Sequence, residues 1–310
     1  MATLLNVTLP VFLVLGFGYL TVWRGVFSEE GIDALMKYSQ SVAIPFLLFR
    51  AISNLDLGVN FDVPLLLTYY SSATVTFIVG IFGTRLLFRR PWEDSVAIGF
   101  ACLFGNSLLL GLPITQRAYG TDALVGNYVI VSVHAPFCYV VGLITMEIVR
   151  SRGRGAARAV TTALKAISQN MMVLALVAGF VVNLSGLTIP GPVAEALDFM
   201  ARSAIPVALF GLGGVLVRYR IDGDLKIVAF VCVMALVFLP TLVWLVGDTI
   251  ANLNQAERRS AIITAAMAPG VNAYLFANMY GVAKRVAASS VLIGTTVSIA
   301  TTSVWLAVVG

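Results

Sequence analysis

The chain has 310 residues, of which 59% are hydrophobic and only 11% charged, and its mean hydropathy is +0.94. Soluble domains carry about 25% charged residues, so this composition argues against a water-soluble enzyme or nucleic-acid-binding domain and for an all-α polytopic membrane protein. The net charge of +5 is spread between apolar runs, as a topology signal would be, and is not gathered into a nucleic-acid-binding face.

A membrane helix needs about twenty apolar residues to cross the ~30 Å hydrocarbon core. Ten such runs are expected, near residues 4–22, 31–49, 63–88, 92–120, 122–149, 166–184, 192–217, 225–250, 256–281 and 282–309. No basic residue precedes the first and no small-residue cleavage site follows it, so it reads as a span and not as a removable signal. The first, third, fifth, seventh and ninth connections hold 14 Lys and Arg residues, and the even connections hold 4, Arg50, Arg117, Arg258 and Arg259. The positive-inside rule then puts the odd connections in the cytoplasm and both termini outside. Cys102, Cys138 and Cys232 all fall in apolar runs and lack metal-ligand spacing, so they read as small hydrophobes.

The fourth run carries the sharpest local signal, Phe104 to Ile114, FGNSLLLGLPI. Glycine and proline both disfavour a continuous helix, and in hydrocarbon a break survives only where the freed backbone groups find protein, water or ligand. A run of 29 residues would measure ~43 Å as a straight helix at ~1.5 Å per residue, so it must tilt or break. The break is expected near Gly111 to Pro113. Two half-helices would result, whose N-terminal ends attract negative charge without burying a full cationic side chain.

The second and seventh runs contain Ala43-Ile44-Pro45 and Ala204-Ile205-Pro206, which are 161 residues apart, and the fourth and ninth end in Tyr119-Gly120 and Tyr280-Gly281 at the same offset of 161. Two motifs at one offset indicate a duplicated five-span unit, and an odd number of spans forces the second copy to be inverted. Residues 1–150 form the first repeat, 151–165 a short basic cytoplasmic loop and 166–310 the second repeat. Inversion predicts a second break in the ninth run, where Ala268-Pro269-Gly270-Val271-Asn272-Ala273-Tyr274 supplies proline, glycine and asparagine in a different order.

With GNSLLLGLPI, AAMAPGVNAYLFANMYG and the paired AIP turns in hand, the chain resembles the auxin efflux carrier family, which includes plant PIN proteins and bacterial permeases for small carboxylates. The resemblance covers essentially the whole chain. It implies a bile acid symporter-like fold of ten helices in a five-plus-five inverted repeat, with helices four and nine broken and crossing. It also implies a scaffold of helices one, two, six and seven, a transport domain of helices three to five and eight to ten, and elevator-type movement. Carried over by position, the crossover residues are Asn106, Ser107 and Pro113 with Pro269, Gly270 and Asn272; Gly111 and Tyr274 beside them complete the candidate substrate-binding set, and Pro45 and Pro206 either line the scaffold side of the path or only bend two symmetric helices. The connection between the halves is too short for the regulatory loop of plant PIN proteins, so the bacterial permeases in an inner membrane are the nearer comparison. A small organic anion and membrane lipid are the expected partners, with a homodimer through the scaffold fitting the architecture and no nucleic acid.

His134 is the single histidine and lies in the fifth run, which makes it the candidate for proton coupling, against the plainer reading of a neutral histidine in a helix interface. No cofactor or metal is expected, with protons or sodium as coupling ions. The carboxylate-assisted sodium site of a bile acid symporter-like transporter is weakly supported, because no Asp or Glu lies between Ala261 and Tyr280 and Glu257 precedes the apolar part of its run. An intramembrane enzyme is not supported: there is no HExxH and no membrane aspartate pair. A channel lined by the same polar breaks is the remaining alternative to a carrier.

Overall fold

A computed structural model describes residues 2–54, 63–151, 161 and 168–310. Among the described residues the regular secondary structure is helical apart from one isolated β-bridge, with turns and irregular segments between the helices. The basic connection expected over 151–165 lies outside them except for Ser151 and Thr161.

Six helices are long and apolar enough to cross a membrane among the described residues, covering Asn6–Trp23, Val63–Leu87, Val125–Arg150, Gly191–Leu216, Leu225–Thr249 and Lys284–Val309. The other apolar stretches are built from shorter pieces. In chain order the helices are α1 (Ala2–Trp23), α2 (Glu29–Tyr38), α3 (Ile44–Ser53), α4 (Val63–Leu87), α5 (Trp92–Leu103), α6 (Leu112–Tyr119) and α7 (Val125–Ser151). They continue with α8 (Met171–Ser185), α9 (Gly191–Leu216), α10 (Leu225–Val233), α11 (Leu239–Thr249), α12 (Gln255–Ala265), α13 (Val271–Tyr280) and α14 (Lys284–Val309).

Three π-helical turns lead directly into helices: Ser39–Ala43 joins α2 to α3, Met234–Phe238 joins α10 to α11, and Ser107–Gly111 opens the helix that continues as α6. Each runs directly into an Ile-Pro or Leu-Pro step, at Pro45, Pro113 and Pro240. The ring of a proline collides with the carbonyl four residues back, and the extra residue of a π turn moves that carbonyl away. Two of the carbonyls that a proline leaves without its helical donor accept from side chains. Trp305 Nε1 donates to Leu236 O at 2.9 Å, four residues before Pro240, and Arg117 Nη2 donates to Asn6 O at 3.1 Å, four residues before Pro10 in α1.

The chain divides into two compact units. One comprises Met1–Thr8, Asp62–Leu164 and Tyr219–Gly310, and the other Leu9–Phe61 and Lys165–Arg218, so each draws on both halves of the sequence. In the smaller unit α1 and α9 meet at glycines. A Cβ on Gly18 would collide with the Phe210 carbonyl, and one on Gly213 with that of Leu15, the close backbone approach that small residues permit in membrane helix packing. Arg50 makes a two-point ion pair with Asp198 at 2.7 and 3.0 Å, and Asn183 Nδ2 donates to the last carbonyls of α3, Ile52 O at 2.9 Å and Ser53 O at 3.2 Å. The same unit holds an apolar cavity of about 710 Å³ lined by Pro45, Phe46 and Phe49 of α3, with residues of α8 and α9. In the larger unit Gly80 of α4 lies against Gly99 of α5, and a Cβ on Gly80 would stand 3.1 Å from the Gly99 Cα.

Candidate functional site

The interruption in the fourth apolar stretch falls earlier than its sequence suggests. The helix ends at Leu103, residues Phe104 to Asn106 leave helical geometry, and the chain re-enters a helix at Ser107. Gly111 and Pro113, where the break was expected, lie inside the continuous run from the π turn into α6. The reason is local: the Asn106 carbonyl accepts from both Leu110 N–H at 3.1 Å and Gly111 N–H at 3.3 Å, so the π turn absorbs the proline without opening the helix.

The ninth stretch breaks where its sequence places it. Helix α12 ends at Ala265 and α13 begins at Val271, with Gly270 in extended geometry before it. The two interruptions meet. Asn106 N–H donates to Ala268 O at 2.7 Å, and Gly270 N–H donates to Phe104 O at 2.8 Å, forming a short antiparallel bridge. Gly105 and Pro269 face each other as the pair that exchanges no hydrogen bond between its own N–H and C=O groups. That is where antiparallel backbones come closest, so glycine fits on one side, and where a residue without an N–H loses no ladder bond, so proline fits on the other. The backbone groups a helix break would orphan are thus satisfied by the partner break, as a low-dielectric interior requires.

Packing holds this bridge in place. A Cβ on Gly294 of α14 would come 2.8 Å from the Pro269 ring, so only glycine leaves room there, and a Cβ on Gly270 would sit 3.5 Å from Asn106 Cα. Phe100 stacks on Phe276 at 4.0 Å and joins α5 to α13, one on either side of the breaks. Beside them Asn127 of α7 donates to Thr115 of α6 at 3.1 Å and to Thr264 of α12 at 2.8 Å, a fully buried polar tie among the three helices.

Of the residues singled out from sequence, Asn106, Pro269 and Gly270 are brought together at the bridge, and Ser107 and Asn272 follow in the first turns of the helices that leave it. Asn106 is buried, and its Nδ2 has no hydrogen-bond partner among the described residues. The Ser107 hydroxyl lies 3.5 Å from both Gly105 O and the Tyr69 hydroxyl. Gly111 backs onto the side chain of Met267, 3.4 Å from where its Cβ would be, while Pro113 is a buried helix residue outside the bridge. Tyr274 packs its ring against Tyr219 at 5.0 Å. His134 is buried, with its ring 5.0 Å from that of Phe104 and facing the Gly105 backbone. Pro45 and Pro206 belong to the other compact unit, in α3 and α9.

Residues that sequence reasoning passed over include Tyr139, whose hydroxyl donates to Asn272 Oδ1 at 3.1 Å, and the trio of Asn127, Thr115 and Thr264. Each sits in an apolar or unremarkable stretch and gains its partner only through the fold. Glu257, the carboxylate nearest in sequence to the second break, forms a capping box with Asn254 at the start of α12, with bonds of 2.9 and 3.0 Å. Among the described residues no group of three or more His, Cys, Asp or Glu could hold a metal ion.

The candidate site is therefore a buried bridge between two helix breaks, with a buried amide donor and two helix N-terminal ends of the kind that favour negative charge. A family model described as membrane transport protein matches residues 3–306. The chain is 24% identical to the "Putative malonate transporter" of Rhizobium meliloti (strain 1021), over 97% of this chain and 94% of that protein. It is 23% identical to the "Uncharacterized transporter YfdV" of Escherichia coli (strain K12), over 96% and 95%, and 21% identical to the "Uncharacterized transporter MJ1031" of Methanocaldococcus jannaschii, over 97% of each. With nearly the whole chain matched and six of its apolar helices long enough to span a membrane among the described residues, the chain belongs to the membrane transport protein family, the auxin efflux carriers, and is an integral membrane transporter.

Proposed function

We propose that this transporter is a secondary carrier for a small organic anion, a mono- or dicarboxylate, which binds at the paired breaks. The observation that carries this reading is the buried, unpartnered Nδ2 of Asn106 beside the first turns of two helices, with Asn272 in one of them. A buried donor without a partner is costly, and a carboxylate accepts from several donors at once. The name of the Rhizobium meliloti relative, "Putative malonate transporter", agrees with a carboxylate substrate.

In the same reading the chain crosses a bacterial inner membrane ten times as an inverted repeat, with both termini outside. The helix ends support the repeat: α6 and α13 end at Tyr119 and Tyr280, at the offset of 161 found between the paired motifs. The unit containing both breaks is assigned as the transport domain and the other, with its close glycine contacts and ion pairs, as the scaffold of an elevator-type cycle. Coupling to protons or sodium is left to experiment, with His134 the proton candidate.

Reconstitution into proteoliposomes tests this function. Uptake of radiolabelled malonate is expected to saturate and to be accelerated by unlabelled malonate on the far side, as a carrier requires. Uptake that rises linearly with concentration, without counterflow, would show a channel instead, and no uptake of any small carboxylate would overturn the substrate class.

A further inference from the structure

An asparagine side chain offers one acceptor oxygen and two amide donors, and which of them meets a ligand depends on what holds the rest of the amide. In Asn272 the oxygen is already engaged. The Tyr139 hydroxyl donates to Oδ1 at 3.1 Å, and this is the side chain's one hydrogen bond among the described residues. Tyr139 is itself fixed. Its ring lies 5.7 Å from both Phe100 and Phe104, and Phe100 stacks at 4.0 Å on Phe276, one turn beyond Asn272 on the same helix. Phe104 is also the residue whose carbonyl receives Gly270 N–H in the bridge. The tyrosine ring is therefore held by two residues of the fourth stretch, and its hydroxyl reaches the amide of the ninth from a third helix, α7.

With Oδ1 already accepting from Tyr139, the groups of Asn272 that have no partner among the described residues are its N–H donors, and Asn106 across the bridge has an unpartnered, buried N–H of the same kind. We propose that Tyr139 is a positioning residue that sets specificity: by occupying Oδ1 it presents the Asn272 amide as a donor, so that the site selects a ligand group that only accepts. A deprotonated carboxylate meets that requirement. An amide of nearly the same shape does not, because its own NH₂ would face N–H groups and lose its hydrogen bonds to water without replacement, and it is such unpaired groups that give polar sites their discrimination. This inference rests on the placement of the ligand at the paired breaks.

The test compares malonate with its monoamide, malonamate, as competitors of radiolabelled malonate uptake in proteoliposomes containing the full-length protein. The wild type is expected to prefer malonate by roughly thirtyfold or more, and Tyr139→Phe, which keeps the ring and removes the hydroxyl, to lose about tenfold of that preference. A tyrosine that only supported packing would lower uptake while leaving the ratio of the two competitors unchanged, and an unchanged ratio overturns the proposal. Asn272→Asp supplies a second arm that does not depend on Tyr139→Phe being stable: with one carboxylate oxygen held by Tyr139 and the other facing the ligand, the preference is expected to swing toward the monoamide. A retained preference for malonate in that variant also overturns the proposal. Absence of any wild-type malonate uptake would instead refute the functional reading beneath it, so the two failures are distinguishable.

Discussion

Pro113 and Pro269 lie in two stretches that look alike on paper, each apolar and each with glycine and asparagine close to the proline. The first sits in a helix that carries on through a π turn, and the second lies in a break paired to another segment of chain. What separates them is where the neighbouring backbone groups go. At Pro113 the Asn106 carbonyl takes two N–H groups and the helix merely widens. At Pro269 the flanking residues Ala268 and Gly270 bond to Asn106 and Phe104 across the bridge, so the chain leaves helical geometry without stranding a polar group. A membrane helix opens where a partner waits for its backbone, and a proline alone is an insufficient cause.

This contrast can be broken in three ways, in descending order of expected effect. Gly294→Val would drive a side chain into the Pro269 ring, where a Cβ alone already stands 2.8 Å away. Overpacking of this kind costs about 1–3 kcal/mol, and because it falls on the bridge, malonate uptake is expected to vanish while the purified protein melts several degrees lower. Pro269→Ala and Pro113→Ala form a matched pair. The former is expected to reduce uptake by more than about tenfold, because an N–H restored at the bridge favours continuation of α12, and the latter by less than about threefold, because it only lets a π turn relax. Equal effects from the two would erase the distinction drawn between them. Trp305→Phe comes last: it leaves Leu236 O without its donor behind Pro240, at a cost of about 1–2 kcal/mol in stability, with uptake close to wild type.

The class of the protein was legible in its composition, and the helical runs in the spacing of charges between apolar stretches. The polar motifs at Asn106 and at Pro269 to Asn272 pointed to the segments that meet, because glycine, proline and amides gather where a membrane backbone needs help. The position of the first break was misjudged by several residues, since nothing local says that Pro113 would be absorbed by a π turn while Gly105, with no proline beside it, would face one from 164 residues away. In the sequence Arg50 is only one of four basic residues of the even connections, whereas the fold engages it with Asp198, 148 residues on. Tyr139 and Asn127 lie in the long helix α7, and nothing in that helix names their partners, which come from α13, α6 and α12. Local signals mark where the backbone is unusual; they do not mark which distant side chain completes it.

The most direct measurement is the thermal shift of purified protein on addition of malonate, made for the wild type, Asn106→Ala and Asn272→Ala at matched detergent and salt. A ligand that binds only the folded state raises its melting temperature, by an amount set by concentration relative to affinity. The expected result is a concentration-dependent rise in the wild type and none in either variant, with both variants melting cooperatively near the wild-type temperature in the absence of malonate. An undiminished rise in both variants would contradict the placement of the anion at the paired breaks.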